Sequence, residues 1–340
     1  MISCTVRASG RWIAPTLAIG MFAILSPATF AKELKLGHFL PPRHTNHTKV
    51  MQPWASEVAK RSGGDLKIQI YPARQLGGTP AGQYNQALRG IADVSFMVPG
   101  YTPTVFPGTG IVELPFLTKN ARHATRILWA VFPKYLSKEY NEVKVITFWT
   151  VDNFVIQSRK PIRKLADLKG LKIRSPSSTV SDIAKIWGAV PVNMPITKVY
   201  TSLERGVING FFAGPSAMFS FKLGEVVKFY TTGVGGSNLP LFIVMNKKSW
   251  NELSGAHKKI IEETSGSALG LKGAAAYDAR SERAIQTAKK KSGVEVIDLS
   301  DAARAKFRTA AAPMIDNWIA AREKLGIEAR AMYELAKTVK

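Results

Sequence analysis

The chain has 340 residues, 46% of them hydrophobic, and its 47 Lys and Arg against 24 Asp and Glu give a formal net charge of +23. That apolar content excludes a disordered chain, and the length predicts two domains with cores of their own. The single cysteine, Cys4, excludes a disulfide framework and any cysteine-built metal site.

The first 31 residues read as a secretory signal peptide. Arg7 and Arg11 form a basic start, an apolar stretch runs over 12–25, and the small-residue region 26–31 precedes Lys32-Glu33. The stretch is shorter than the roughly 20 residues a membrane span needs. Cleavage after Ala31 would remove Cys4 and leave a net charge of +21, which is +23 less the two arginines. The basic residues are scattered, the densest run being Lys289-Lys290-Lys291, and they do not alternate with aromatics. A solvated basic surface, or a field that steers anions, is therefore favoured over a nucleic-acid partner.

From residue 34 the pattern alternates between strand and helix. A strand over 34–38 ends at Pro41-Pro42, and a helix over 46–61 carries Val50, Trp54 and Val58 on one face. Residues 66–71 alternate strictly as a strand. A short helix over 83–89 and an apolar strand over 91–98 complete a β-α-β-α-β block, which predicts a mostly parallel sheet. Next come a helix over 122–140 broken at Pro133 and a strand at 143–150; residues 155–158 open a new unit, which continues with a strand at 171–174. Helices at 178–187 and 197–205 and strands at 226–231 and 241–246 continue the alternation. A long helix is expected over 255–291, then a strand at 294–297 and helices at 301–325 and 328–337. A helix of about 35 residues is about 50 Å long, more than one small domain, so it is expected to run across two domains with a ligand cleft between them.

Tests for chemistry mostly fail. His38, His44 and His47 follow no zinc spacing, and no metal or cofactor is expected. Gly214-Pro215-Ser216-Ala217-Met218 lacks the closing glycine of a nucleophile elbow. Gly108-Thr109-Gly110 lacks what a phosphate loop requires. Asp152 and Asp167 face no partner acid and read as structural. No catalytic residue is expected, and the chain is not read as an enzyme. Arg174 ends the strand Leu171-Lys172-Ile173-Arg174 before a Ser-Pro turn. Ligands sit at that end of a strand in α/β sheets, and a guanidinium grips a carboxylate through two parallel hydrogen bonds. On pattern alone it reads more readily as an ordinary exposed arginine.

The run Pro161-Ile162-Arg163-Lys164-Leu165-Ala166-Asp167-Leu168-Lys169-Gly170-Leu171-Lys172-Ile173-Arg174 resembles the signature stretch of the DctP-type solute-binding proteins of tripartite ATP-independent periplasmic (TRAP) transporters. Tyr71-Pro72, Gln75-Leu76-Gly77, Gly90-Ile91-Ala92-Asp93, Glu113-Leu114-Pro115-Phe116, Leu203 to Gly210 and Asn246-Lys247-Lys248-Ser249-Trp250 are similar to that family in the same order. The resemblance implies an α/β, two-domain periplasmic binding protein fold with a long domain-spanning helix and an interdomain ligand cleft. The expected division is 32–152 plus 240–280 as domain I and 153–239 plus 281–340 as domain II. It further implies a periplasmic location, a small organic carboxylate paired with Arg174, and delivery to the small and large membrane subunits of a TRAP transporter. An ABC-type binding protein, or an enzyme on a similar scaffold, is the alternative. By position, Phe39, Val98, Phe154, Phe211 and Phe212 stand where sugar-acid-binding members carry polar contacts. Unpaired polyol hydroxyls in such a site would cost about 1–3 kcal/mol each. A monocarboxylate with an apolar or aromatic body is therefore expected, with Tyr101, Asn153 and Asn238 as its further hydrogen-bond partners.

Overall fold

A computed structural model describes residues 1–8, 10 and 31–340. The chain divides into two units, Met1–Phe30 and Ala31–Lys340. The signal-peptide expectation falls largely on residues 9 and 11–30, which lie outside the described residues. Residues 1–8 and 10 carry no regular secondary structure. Among the described residues no helix is long and apolar enough to cross a membrane.

The second unit is built on two sheets. The first contains β1 (Lys32–Gly37), β2 (Leu66–Tyr71), β3 (Val94–Met97) and β4 (Val143–Thr150). The second contains β5 (Val155–Ser158), β6 (Lys172–Ser175), β7 (Val190–Asn193), β8 (Gly210–Ala213) and β9 (Phe229–Thr232). Then β10 (Pro240–Asn246) returns to the first sheet and β11 (Glu295–Asp298) to the second. The orders are β2-β1-β3-β10-β4 and β11-β9-β5-β8-β6-β7. Side-chain pattern explains the placement. In β2, Leu66 and Ile68 are buried while Lys67 and Gln69 are exposed, as alternation requires on a sheet with one covered face. All seven residues of β10 are buried, which suits an interior strand covered on both faces. Strands β7 and β8 have no alternating signal, and the sequence pattern misses both.

The three strands of the first block, β2-β1-β3, are parallel as expected, but each whole sheet is mixed. β10 runs antiparallel to β3 and β4, and β5 runs antiparallel to β8 and β9. The chain leaves the first sheet at Thr150 and re-enters it at Pro240, directly opposite, so the returning strand must point the other way. The two crossing segments are themselves paired. Val151 N–H donates to the Leu239 carbonyl at 3.0 Å, and Phe154 N–H to the Ser237 carbonyl at 2.9 Å.

The long helix expected over 255–291 is bent into Gly255–Thr264 and Gly266–Lys290. Ser265 leaves helical geometry, and Gly266 takes a φ of +68°, a left-handed conformation that glycine adopts without strain. The second segment, roughly 38 Å long by its rise per residue, spans the two sheets. Near its start Gly270 lies so close to β4 that an added Cβ would run into the Phe148 carbonyl oxygen. Near its end Ala284 and Ala288 pack in the core of the second sheet with Phe211 and Tyr230.

A buried acid also joins the two halves. Glu113, from the loop after β3, accepts a hydrogen bond from the Ser177 hydroxyl at the N-cap of the Ser178–Ile186 helix. Burial pushes its pKa up from 4.5 to about 7, with Ser177, Arg322 and Thr179 opposing.

Two predictions follow from this packing. Gly270→Ala overpacks the helix–sheet contact, at about 1–3 kcal/mol, and is expected to lower Tm by a few degrees in a thermal melt. A carboxyl whose pKa is raised by folding contributes most below its unfolded value and loses that contribution as pH rises through its folded value. Wild-type Tm measured against Glu113→Gln should therefore fall as pH climbs from about 4.5 to about 7. The difference should be flat on either side of that window.

Candidate functional site

β6 carries Lys172-Ile173-Arg174-Ser175 between β7 and β8, with Arg174 opposite Val192 and Phe211. Because β6 is interior, Ile173 and Arg174 are buried on its two faces, and Arg174 is only 2% exposed. Its guanidinium is partly held by backbone. Nε donates to the Met194 carbonyl at 2.9 Å and Nη1 to the Phe212 carbonyl at 3.1 Å. Nη2 is buried and has no hydrogen-bond partner among the described residues. Burial lowers the guanidinium pKa, and the neighbouring Tyr101 phenol partly restores it. Tyr101 Oη accepts the Ile196 N–H at 3.0 Å, which leaves its own proton to donate.

Arg174 lines a cavity built from both sheets. Phe39 and Leu40 enter from the loop after β1, Phe96 from β3, and Val98 and Tyr101 from just beyond it. Val151, Asp152 and Phe154 come from the β4–β5 crossing, and Leu239 and Leu241 from the returning strand. Ala213, Gly214, Ser216, Ala217, Ser220 and Phe221, with Tyr277, close the wall. Phe39 stacks against Phe96 at 5.7 Å and Tyr101 at 6.1 Å, ring centroid to centroid. The cavity volume is about 70 Å³, on a scale where one water needs about 10–15 Å³. That is room for one compact molecule.

Of the residues proposed from sequence, Phe39, Val98, Tyr101, Phe154 and Arg174 meet at this cavity. Four others are placed elsewhere. Phe211 packs with Leu203 and Tyr230 in the core of the second sheet, and Phe212 stacks on Trp187 at 5.9 Å. β8 is covered on both faces, so its consecutive side chains turn away into separate layers. Only the Phe212 carbonyl reaches Arg174, while Ala213 and Gly214, beyond it, reach the cavity. Asn153 and Asn238 are consumed by the crossing strands. Asn238 Nδ2 donates to the Val151 carbonyl at 2.8 Å and to Asn153 Oδ1 at 2.9 Å, and Asn153 Nδ2 donates to the Lys119 carbonyl at 3.1 Å. With Thr118 donating to Asn238 Oδ1, these amides tie the crossing segments together.

Several lining residues were not proposed from sequence. Asp152, read as structural, accepts from the Ser216 hydroxyl at 2.7 Å and its N–H at 3.0 Å, while its residue also lines the cavity. Burial lifts its pKa to about 6 against those hydrogen bonds and one from Ser281. His44 lines the cavity too. Burial, helped by His38, Arg280 and His47, holds its pKa down to about 3, so it is neutral at pH 7. The three loop histidines do not gather around a metal, and no group of His, Cys, Asp or Glu among the described residues has metal-holding geometry. Instead His38 and His47 hydrogen-bond each other at 2.9 Å. The signal that could have found His44 is its place in the loop at the carboxyl end of β1, where ligands of α/β sheets bind.

In chemical terms, the cavity offers one buried cation with an unpartnered N–H edge, a phenol beside it and mostly apolar walls. A buried charge of this kind demands a hydrogen-bonded anion.

Comparison with known proteins agrees with this geometry. Residues 36–321 match the DctP model, described as bacterial extracellular solute-binding protein, family 7. An aromatic-acid-specific TRAP solute-binding protein from an unidentified marine metagenome microbe, crystallised with 3-hydroxybenzoate, superposes with a TM-score of 0.87 at 30% identity, covering 91% of this chain and 97% of that one. A TRAP solute-binding protein of Rhodoferax ferrireducens with copurified benzoate gives a TM-score of 0.86 at 28% identity over 90% and 97% of the two chains. The 2,3-diketo-L-gulonate-binding periplasmic protein YiaO of Escherichia coli is 29% identical over 239 residues, 69% of this chain and 72% of its own. The chain therefore belongs to the DctP family of bacterial extracellular solute-binding proteins and is a TRAP-type binding protein, not an enzyme.

Proposed function

We propose that this protein works in the periplasm, where it captures a monocarboxylate with an apolar or aromatic body and delivers it to the small and large membrane subunits of a TRAP transporter. The observation that carries this reading is the unpartnered Nη2 of a buried Arg174 in an otherwise mainly apolar cavity. Two parallel N–H bonds from a guanidinium suit a carboxylate, and the Tyr101 hydroxyl adds a third donor. The benzoate and hydroxybenzoate held by the two structural relatives support the same class. The diketogulonate relative favours a polar sugar-derived acid instead. The phenylalanine, leucine and valine walls weigh against it, because each buried hydroxyl without a partner costs about 1–3 kcal/mol.

In this reading residues 32–152 with 240–280 form one domain and 153–239 with 281–340 the other. The guanidinium is too buried to meet a ligand from bulk water, so the halves must part to admit it. Contacts to both halves then favour the closed form. The paired crossings at Val151–Phe154 and Ser237–Leu239 are the hinge. A net charge of +21 after signal cleavage (+23 less two arginines) supports steering of anions toward the cleft.

A thermal-shift screen of small carboxylates tests the ligand class. Benzoate-like acids are expected to raise Tm, by an amount that grows with concentration, and hexuronates are not. A screen with the reverse outcome would sink the proposal. Arg174→Ala should weaken binding by about 3–5 kcal/mol, a hundredfold to several-thousandfold, measured by calorimetry. Arg174→Lys should recover little, since an ammonium lacks the planar fork.

A further inference from the structure

The cavity wall holds two polar groups that the carboxylate anchor does not use. His44 Nδ1 accepts the Asn46 N–H at 3.1 Å. That bond fixes the tautomer, so the proton of the neutral ring sits on Nε2 as a donor. Nε2 makes no hydrogen bond among the described residues, although the residue is 95% shielded (5% exposed) and lines the cavity. Ser220 is 4% exposed, lines the same cavity, and its hydroxyl likewise has no partner among the described residues. The next residue, Phe221, packs its ring against His44 at 5.3 Å, which brings the two groups into one part of the wall. The other loop histidines differ. His38 uses both ring nitrogens, one accepting the Leu40 N–H and the other bonded to His47, and neither His38 nor His47 lines the cavity.

A fixed imidazole donor beside a hydroxyl that can accept matches one kind of ligand group. A phenolic or alcoholic hydroxyl takes the His44 N–H on its oxygen and gives its own proton to Ser220 Oγ. A methyl or bare ring edge would leave both wall groups desolvated and unpaired. A second carboxylate finds no guanidinium in the wall, because Arg280, though close enough for its charge to act on His44, does not line the cavity and stacks on the Phe219 ring at 4.9 Å. We propose that His44 and Ser220 form a hydroxyl-reading subsite, so that the protein selects hydroxylated aromatic acids over unsubstituted or methylated ones. This rests on the monocarboxylate reading of Arg174 and adds the group that sets specificity.

Calorimetric affinities for benzoate, 3- and 4-hydroxybenzoate and the matching methylbenzoates test it. The wild type is expected to bind one hydroxybenzoate about tenfold or more tightly than its methyl isostere. In His44→Phe that ratio should fall to about one, and His44→Gln, which keeps an N–H donor, should restore part of it. Ser220→Ala should lower the ratio by itself, so the test survives if His44→Phe fails to fold. A wild type with no preference, or a His44→Phe variant that keeps it, overturns the subsite. If benzoate still binds through Arg174 in that case, the carboxylate reading stands. If no aromatic acid binds at all, both fall.

Discussion

The structure around the cavity depends on the burial of one positive charge. A guanidinium shielded from water must have its N–H groups met, or folding bears the desolvation cost. Two carbonyls, of Met194 and Phe212, meet part of Arg174. Both come from the chain beside β6, so the second sheet supplies the backbone that holds the side chain. The remaining edge belongs to the cavity, where Phe39, Val98 and Phe154 exclude water and Tyr101 adds a hydroxyl. Low polarity in those walls strengthens any bond that an arriving carboxylate makes. Apolar lining and buried charge are thus complementary, and the proposed preference for an anion with an apolar body rests on both.

A site made by two sheets requires a defined way for the chain to pass between them. Here the passing segments pair backbone to backbone, and Asn153, Asn238 and Thr118 knot them with side-chain bonds. Glu113 and Ser177 join the halves at a second place, and the bent Gly266–Lys290 helix at a third. These links concentrate polar groups at the boundary of the sheets. Most of their hydrogen bonds are made within the links, which leaves the cavity itself with few free donors. The free ones are therefore informative, and His44 and Ser220 stand out for that reason.

Much of the fold was legible in the chain. Strict alternation placed β2, and apolar runs bounded by turns placed β4 and most of β10 within a residue or so. The misses have physical causes. Val190–Asn193 and Gly210–Ala213 are short, and the second is buried on both faces, so neither shows a period of two. Ser265 and Gly266 bend a stretch whose composition is otherwise helical. Strand direction was beyond local pattern altogether, since β10 is antiparallel only because it returns from the other sheet.

The site divides along the same line. By itself the sequence determined that the chain is α/β and that Arg174 lies at the end of a strand before a turn, and the resemblance carried by residues 161–174 implied that this arginine meets a carboxylate, the role proposed for it above. Those features are local, encoded by residues that are neighbours along the chain. Only the tertiary structure decided which aromatics surround that arginine. It turned Phe211 and Phe212 into two core layers and spent Asn153 and Asn238 on the crossings. It brought His44, Asp152, Ser220 and Tyr277 to the cavity from segments far apart in the chain. Which face a side chain takes in a strand covered on both sides, and which polar group keeps a free hydrogen bond, depend on every neighbour at once. No local pattern of residues carries that information.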